Sequence, residues 1–525
     1  MNLFEIQAPS LLERLRHNVL PLDVEKKTIR SSIDIARSRV AALQGQAALV
    51  EIEALSEYVT QYLSLLAPIR RLPVDILRRI FLDPVVHEKK PRQTDPHSIL
   101  LHYRPNTLGA VCYHWRCSLQ CVSCETTTLW SNLAIFLNQP HRYTIDGLRV
   151  ALQRSQKAPL HLAFRPVHSS SWSSLDTEMM QEVCKHSERW VHVEVTSNPE
   201  LLRLLSPAEN KLDSLQTLTI RTPSQSPFEP PAQPSKVFAH APKLHTLRLI
   251  GNLLHSPSVA PTLPWLQFTR LCIDVEWNTS DYHYVLSHAQ NVHELSALFW
   301  HTPYFAHLQA TSHDLHKLHI HHVSQFDGSE VNVLNHLTAP ALKELLVSSC
   351  KLDNLTMQSF LSRSSARLQS LALHDTPIRA ADLVSLLRMV PTVERLVLAN
   401  LLPNAVTNRV VQSLTASPSS AEEILLPMMT SFVIDGGYLF TPDALFSMLE
   451  SRLASTNALS QLKALNIILP TLAVPAPRLE SFANTAKEVV QSFRFLCSDE
   501  TRRKIEVRSG SPSDYEKIGA YEFPN

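Results

Sequence analysis

Residues 342–352 have the sequence Leu-Lys-Glu-Leu-Leu-Val-Ser-Ser-Cys-Lys-Leu, with apolar residues at the first, fourth, sixth and eleventh positions and a cysteine at the ninth. The apolar-x-x-apolar-x-apolar core of this stretch occurs nine times between residues 190 and 398. A weaker tenth copy is formed by Ala421, Ile424 and Leu426. The mean interval is about 26 residues, which suits a repeat of ~20–29 residues that contributes one short strand. Because single copies arise by chance in a leucine-rich chain, the regular spacing is what indicates a repeat architecture.

Two copies extend over the full eleven positions, at 244–254 and 342–352, and a third at 368–378 has Thr376 at the ninth position. This is the consensus of the leucine-rich repeat. The pattern predicts an α/β fold in which residues 131–496 form a leucine-rich-repeat solenoid, a parallel-sheet horseshoe with outer helices. Cys350 is expected to turn inward and to hydrogen-bond the backbone.

Further elements are expected outside the nine regular copies. The remaining predictions are early strands at 133–136 and 160–164, a last strand at 462–467, a capping helix within 478–496, and a C-terminal strand or tail over 497–525 that is loose from 508 onward.

Side chains that alternate with the core triplet should line the concave face, where a solenoid binds its client. In the copy at 315–320 these are Lys317, His319 and His321, which we expect to contact a protein client. The same region, His313 to His322, is the densest histidine cluster of the chain. A metal or pH-sensitive site there is the alternative to a simply polar surface, although no carboxylate or cysteine lies at ligand spacing.

Composition excludes several classes of enzyme and of partner. Only 9 of 525 residues are glycine, and their spacing permits no dinucleotide-binding fingerprint, P-loop or nucleophile elbow. The formal charge of +1 gives no reason to expect nucleic-acid binding. No uncharged apolar stretch reaches the ~18 residues of a membrane-spanning helix. We therefore expect a non-enzymatic protein without a cofactor or a membrane contact.

Eight cysteines are too few for a disulfide scaffold, and the first residues lack a basic segment followed by an apolar one. The sequence thus predicts reduced cysteines and a cytoplasmic or nuclear protein.

Residues 22–66 contain no proline and are expected to form one helix that ends before Pro68. Apolar residues alternate at intervals of four and three along it, which is typical of a coiled-coil seam. The seam residues are Ile29, Ile33, Ala36, Val40, Leu43, Ala47, Val50 and Ala54. Self-association through 22–66 is one interpretation, and an amphipathic helix that packs on the rest of the chain is the other.

Residues 67–130 contain the second informative pattern. Leu72-Pro73-Val74-Asp75-Ile76-Leu77-Arg78-Arg79-Ile80-Phe81 predicts a short helix whose apolar side chains share one face. A turn-rich insert follows, then a second apolar helix that begins at Leu108, and finally the pair Leu129-Trp130. The second helix carries Val111, Cys112, Trp115 and Arg116.

These residues resemble an F-box, in the form found in F-box-like proteins that are abundant in mushroom-forming fungi. The resemblance covers about 65–135 and departs from a compact F-box in the long insert between Phe81 and Leu108 and in the cysteine-rich stretch after Arg116. It implies docking onto a Skp-type adaptor and, through it, onto a cullin. Carried over by position, the adaptor-binding residues would be Leu72, Pro73, Ile76, Leu77, Ile80, Phe81, Val111, Cys112 and Trp115.

The cysteine-rich stretch also contains Cys121-x-x-Cys124, which is one half of a zinc-binding pattern. Reduced cysteines in a helix and its following loop are the competing interpretation.

The resulting hypothesis has four segments: a helical lead-in at 1–66, an F-box at 67–130, the solenoid at 131–496 and the strand or tail at 497–525. The chain would be the substrate-recognition adaptor of a Skp–cullin–F-box ubiquitin ligase, with an unknown client. The alternative is an interaction scaffold whose F-box is degenerate and has no role in a ligase.

Overall fold

A computed structural model of the chain divides into two compact units, which are described separately. Unit 1 comprises Met1–Val195 with Lys211–Leu215, and unit 2 comprises Thr196–Asn210 with Gln216–Asn525. The residues that the structure describes are 20–43, 49–82, 115, 125–137, 143–166, 172–196, 198–221, 235–251, 262–275, 285–299, 310–312, 314–322, 333–416, 424–454, 461–498 and 504–509.

Unit 1 begins with two helices that fold back on each other. Helix α1 spans Asp23–Leu43 and helix α2 spans Leu49–Leu66. Ile29 and Ile33, near the start of α1, pack against Tyr62 and Leu65 near the end of α2. Because early residues of one helix meet late residues of the other, the pair is an antiparallel hairpin.

The prediction of a single helix with one continuous seam is therefore wrong. Four seam residues of α1 are buried, namely Ile29, Ile33, Ala36 and Leu43. In α2, however, Leu55 is buried whereas the seam residue Val50 is 83% exposed. Residues 44–48 lie outside the described residues, so Ala47 is not placed. The buried seam residues of α1 pack against α2 of the same chain, as expected for an amphipathic helix that packs within the chain. They are therefore not available for self-association.

A 3-10 turn at Pro68–Arg71 leads into helix α3, which spans Val74–Leu82. A second 3-10 helix at Glu125–Trp130 precedes three parallel strands, β1 (Asn132–Leu137), β2 (Leu160–Pro166) and β3 (Trp190–Thr196). Helices α4 (Tyr143–Ser155) and α5 (Ser174–Cys184) connect them. Leu133, Leu162 and Val193 occupy one register row. The two early strands that the sequence predicted are confirmed.

Unit 2 contains eleven consecutive parallel strands in the described part of its main sheet, with one antiparallel strand at the C-terminal edge. The strands are β4 (Thr217–Arg221), β5 (Thr246–Ile250), β6 (Arg270–Val275), β7 (Glu294–Phe299), β9 (Lys317–His322), β11 (Glu344–Ser348), β12 (Ser370–His374), β13 (Arg395–Ala399), β14 (Ser431–Asp435), β15 (Ala464–Ala473), β16 (Ser492–Ser498) and the antiparallel β17 (Lys504–Ser509). Strands β8 (Ala310–Thr311) and β10 (Leu337–Thr338) pair separately.

The helices of unit 2 include α6 (Pro199–Leu204), α7 (Val333–His336), α8 (Asn354–Ser364), α9 (Ala380–Met389), α10 (Asn408–Ser413), α11 (Pro442–Leu453) and α12 (Ala476–Val489). Helices α7 to α12 contact one another in series. Since each crossover joins a strand to its next parallel neighbour, these helices form one layer on one face of the sheet.

The repeat pattern fixes the strand register. Leu247, Leu271, Leu295 and Leu318 are direct partners across successive strands, and Leu345, Leu371 and Leu396 continue the row. All of these side chains are buried. The leucine-rich-repeat solenoid is thus confirmed at the level of individual residues.

One backbone carbonyl before each strand accepts two N–H donors from the next repeat. The carbonyl of His316, for example, accepts the amides of Lys343 and Glu344, both at 2.9 Å. The carbonyls of Gln216, His245, Thr269, His293, Lys343, Gln369, Glu394, Thr430 and Lys463 do the same. This ladder joins every repeat to its neighbour without using a side chain.

Three expectations about the C-terminal repeats need correction. The tenth copy is not Ala421/Ile424/Leu426, because strand β14 places Phe432 opposite Leu396 and Ile434 opposite Leu398. Residues 478–496 are not one helix, since α12 ends at Val489 and β16 follows. The predicted last strand at 462–467 is present as part of β15, but it is not the last. The edge of β16 is covered by β17, and residues 510–525 lie outside the described residues.

Candidate functional site

The helix predicted to bind an adaptor, α3, buries one side and exposes the other. Leu77 and Phe81 are completely buried, whereas Ile80 is half-buried. Ile76 is 41% exposed. The carbonyl of Pro73 accepts the amides of Ile76 and Leu77 at 3.0 Å, so proline immediately precedes the helix. The apolar stripe is therefore divided between the interior of unit 1 and its surface.

Phe81 packs against the second half of the motif. Its ring meets the ring of Trp115 edge to face, with centroids 4.9 Å apart. Leu129 and Trp130 are buried, and the guanidinium of Arg154 lies 4.5 Å from the centroid of the Trp130 ring. The structure thus brings three parts of the predicted motif into one small core.

Other predicted residues of this motif are placed less deeply or not at all. Leu72 is half-buried and Pro73 is exposed. Val111, Cys112 and the cysteines at 117, 121 and 124 lie outside the described residues, so the zinc pattern at Cys121/Cys124 is not tested.

Arg70 was not singled out from the sequence, although it anchors the entry to α3. Its guanidinium is buried and donates to the carbonyl of Ser64 at 2.6 Å and to the Ser64 hydroxyl at 3.2 Å. The end of α2 is thereby tied to the turn that precedes α3. Ile69, in the same turn, is exposed.

The second candidate site is the helix-distal face of unit 2, defined by the strand side chains that alternate with the core triplet, such as Lys317, His319 and His321. All three are half-buried, as the alternation predicted. Lys317 Nζ lies 3.3 Å from a carboxylate oxygen of Glu344 and 3.9 Å from one of Glu294. Glu294 in turn contacts Nε of Arg270 at 3.1 Å. Lys317 is therefore one member of a charged row that crosses four strands.

The pKa values of both histidines are lowered, which favours the neutral imidazole. Burial is the main cause that lowers the pKa of His319, with Lys317 adding to it and the glutamates opposing it. Burial also lowers the pKa of His321, and the neighbouring His374 lowers it further. The two imidazoles therefore add hydrogen-bonding groups beside the charged row that contains Lys317.

An apolar cluster lies beside these residues on the same face. It is formed by Leu346, Ala372, Val397, Val433 and Ala399, all buried. The first four are direct register partners on strands β11 to β14. The sequence contains a usable signal for this cluster, because the position between the second and third core residues is apolar in these repeats, whereas Arg248, Ser296 and His319 occupy it in three of the preceding ones.

At the carboxyl ends of the strands, the face becomes polar again. His321, Ser348, His374, Ala399 and Asp435 form one register row. Nδ1 of His374 lies 2.7 Å from a carboxylate oxygen of Asp375. Burial raises the pKa of Asp435, although His374 and Arg494 act in the opposite direction.

Metal-ligating side chains do not converge in the part of the chain that the structure describes. No group of three or more His, Cys, Asp or Glu side chains there has the arrangement of a metal site. His313 lies outside the described residues. Cys350 donates through Sγ to the carbonyl of Ser348 at 3.1 Å, and burial raises its pKa to about 12. Its predicted structural role is confirmed.

Within the described residues, none of the helices has both the length and the apolar character needed to span a membrane.

No protein-family description and no curated protein matches the chain. Among solved structures, it is similar to the crystal structure of a TLR13–ssRNA13 complex, with 13% identity and a TM-score of 0.36. That match covers 63% of this chain and 46% of the other, so the chain spans less than half of the solved protein.

Proposed function

We propose that this chain is the client-binding adaptor of a Skp–cullin–F-box ubiquitin ligase. Unit 1 would dock a Skp-type adaptor through α3, and unit 2 would hold a client protein on its helix-distal face. No residue of this chain would perform bond chemistry. Catalysis would come from the ligase partners, because holding the client near them raises its effective concentration.

The division of α3 is the observation that carries this proposal. A helix that only filled a core would bury its apolar stripe, yet Ile76 is 41% exposed while Leu77 beside it is completely buried. The exposed Ile69 lies on the turn that leads into the same helix. Exposed apolar side chains on a rigid helix suit recognition in an apolar groove, where such anchors exclude water.

The matched pair Ile76→Arg and Ile35→Arg tests the docking step. Both isoleucines are exposed, at 41% and 52%, and both belong to helices of unit 1. Tagged full-length chain is used to capture a purified fungal Skp-type adaptor, and the captured amount is quantified by mass spectrometry. We expect Ile76→Arg to reduce capture at least about tenfold, since a charge enters an apolar contact, while Ile35→Arg captures as well as the unchanged chain.

Absence of capture by the unchanged chain, or equal capture by Ile76→Arg, would favour the alternative function. In that case the F-box is degenerate, α3 only packs unit 1, and the chain is an interaction scaffold outside any ligase. The completely buried Leu77 and Phe81 are the observation that keeps this second function in view.

A further inference from the structure

At the carboxyl ends of the strands, two titratable residues on the helix-distal face have one small side chain between them. His374, Ala399 and Asp435 are consecutive register partners on β12, β13 and β14. His374 and Asp435 are therefore about 10 Å apart in backbone spacing, with only a methyl group between them. We call this arrangement the Ala399 notch.

The walls of the notch carry negative charge. Asp375 follows His374 directly and contacts its ring nitrogen at 2.7 Å. Asp435 is half-buried, and burial raises its pKa despite the nearby His374 and Arg494. A partly buried carboxylate has lost some of its hydrating water. A cation that binds beside it stabilises its charge strongly, because charge–charge attraction is stronger where water is excluded.

Ser348 provides an independent indication of a ligand on the same row. Its side chain is completely buried, one strand beyond His374. Its hydroxyl oxygen has no hydrogen-bond partner among the residues that the structure describes. A buried hydroxyl usually finds a partner, since leaving it unpaired costs about 1–3 kcal/mol. Ser348 lies on the side of His374 that faces away from Ala399, so the row contains an unsatisfied polar group beside the notch and not within it.

Apolar side chains are exposed on the two turns that continue from the notch. Leu402 follows β13 and is 50% exposed, and Leu439 follows β14 and is 64% exposed. A hydrogen bond connects the two turns: the amide of Leu439 donates to the carbonyl of Pro403 at 3.0 Å. The hydroxyl of Tyr438 also donates to the carbonyl of Asp435 at 2.7 Å, so the leucine turn is fixed to the wall of the notch.

We propose that the Ala399 notch and the adjoining Leu402 and Leu439 bind an extended segment of the client that carries a lysine or arginine next to apolar side chains. The basic side chain enters between His374 and Asp435, and the apolar ones cover the two leucines. The inference rests on the proposed function only in taking unit 2 as the client-binding unit. An acidic segment is disfavoured, because Asp375 and Asp435 would repel it.

Short synthetic peptides provide the probe. One library has lysine fixed at its centre between apolar positions, and the matched library has glutamate at the centre. Both are passed over the immobilised full-length chain, and retained peptides are quantified. We expect the lysine library to be enriched at least about tenfold over the glutamate library.

Three variants locate the binding. Asp435→Asn removes one charge, Leu439→Ser removes an exposed apolar side chain, and Leu355→Ser is the control at a leucine that is 74% exposed on α8. We expect the first two to lower retention of the lysine library at least about tenfold, and the control to leave it unchanged. Equal retention of both libraries overturns the inference, and so does unchanged retention by both Asp435→Asn and Leu439→Ser.

Capture of the Skp-type adaptor is measured on the same samples. If the unchanged chain captures the adaptor but retains the two libraries equally, this inference alone is defeated. Peptide binding without adaptor capture would defeat the ligase role and leave the notch as a binding site.

Discussion

Phe81 and Trp115, separated by a long insert in the sequence, meet edge to face with ring centroids 4.9 Å apart. Both side chains are buried. The contact places α3 against the second part of the motif and leaves Ile76 on the opposite, exposed side. The exposure of Ile76 therefore depends on an aromatic pair that is itself buried.

Phe81→Ala should lower the free energy of unfolding of unit 1 by about 3–5 kcal/mol, because a buried aromatic ring leaves a cavity. Ile76→Ala should lower it by about 1 kcal/mol or less, since its side chain is already partly hydrated. Hydrogen exchange of α3 amides, measured on the full chain, distinguishes the two variants. Equal protection of α3 in both would contradict the described core.

Arg452 is a buried cation whose guanidinium is held by backbone carbonyls. Its guanidinium donates to the carbonyls of Leu414, Leu426 and Leu425 at 2.9, 2.9 and 2.6 Å. Burial lowers its pKa to about 10, so it stays charged at neutral pH. Arg452→Met should destabilise unit 2 by about 3 kcal/mol or more, because three buried carbonyls lose their donors.

The matched control is Arg409→Met, at an exposed position of α10. Denaturant unfolding followed by fluorescence measures both variants. If Arg452→Met unfolds at the same denaturant concentration as Arg409→Met, the three hydrogen bonds do not stabilise unit 2.

Several strands are followed by a residue with a positive φ angle. Substitutions at two of these residues should change the stability of unit 2 in opposite directions. Gly436 has φ +135°, and an added Cβ would lie 3.2 Å from the Tyr438 ring. Gly436→Ala should therefore destabilise unit 2 by about 1–3 kcal/mol. Ser349 has φ 55°, so Ser349→Gly should relieve strain and stabilise by up to about 1 kcal/mol. Thermal unfolding checks the signs, and shifts in the same direction would contradict these backbone angles.

Burial raises the pKa of Cys184 and of Cys350 to about 12, from an ordinary 9.0. At about pH 8 the reactive thiolate should be about a thousandfold scarcer than in the unfolded chain. Alkylation rates of individual peptides, read by mass spectrometry with and without urea, measure this ratio. Equal rates in both states would show that these thiols are accessible in the folded protein.

The sign of the associated pH dependence follows from the same shift. Between about pH 9 and pH 12 the unfolded thiols ionise while the folded ones stay protonated. Both cysteines therefore contribute stability that is present below this window and is lost as the pH rises through it.

The strands were predictable from the sequence because the core triplet is a local signal, repeated at short intervals from Leu218 to Leu398. The prediction failed at β14, where Phe432 takes the position that leucine holds in the preceding repeats and the interval from Leu396 is longer than the mean. It failed at 22–66 because a heptad pattern does not show whether the partner helix belongs to another molecule or to the same chain.

The candidate sites were predictable to different degrees. Alternation along a strand placed Lys317, His319 and His321 on the helix-distal face. The burial of Leu77 and the exposure of Ile76 were not predictable, because both belong to one apolar stripe and tertiary packing decides which part of the stripe is covered. Asp435 and His374 were missed because their proximity arises from strand register, which joins residues far apart in sequence.

Titration of a purified Skp-type adaptor into the full-length chain, followed by calorimetry, tests the central claim most directly. The account predicts one binding site per chain with a Kd at or below about 1 μM, the same affinity for Ile35→Arg, and an affinity at least about tenfold weaker for Ile76→Arg. Absence of binding by the unchanged chain, or identical affinities for Ile76→Arg and Ile35→Arg, would contradict it.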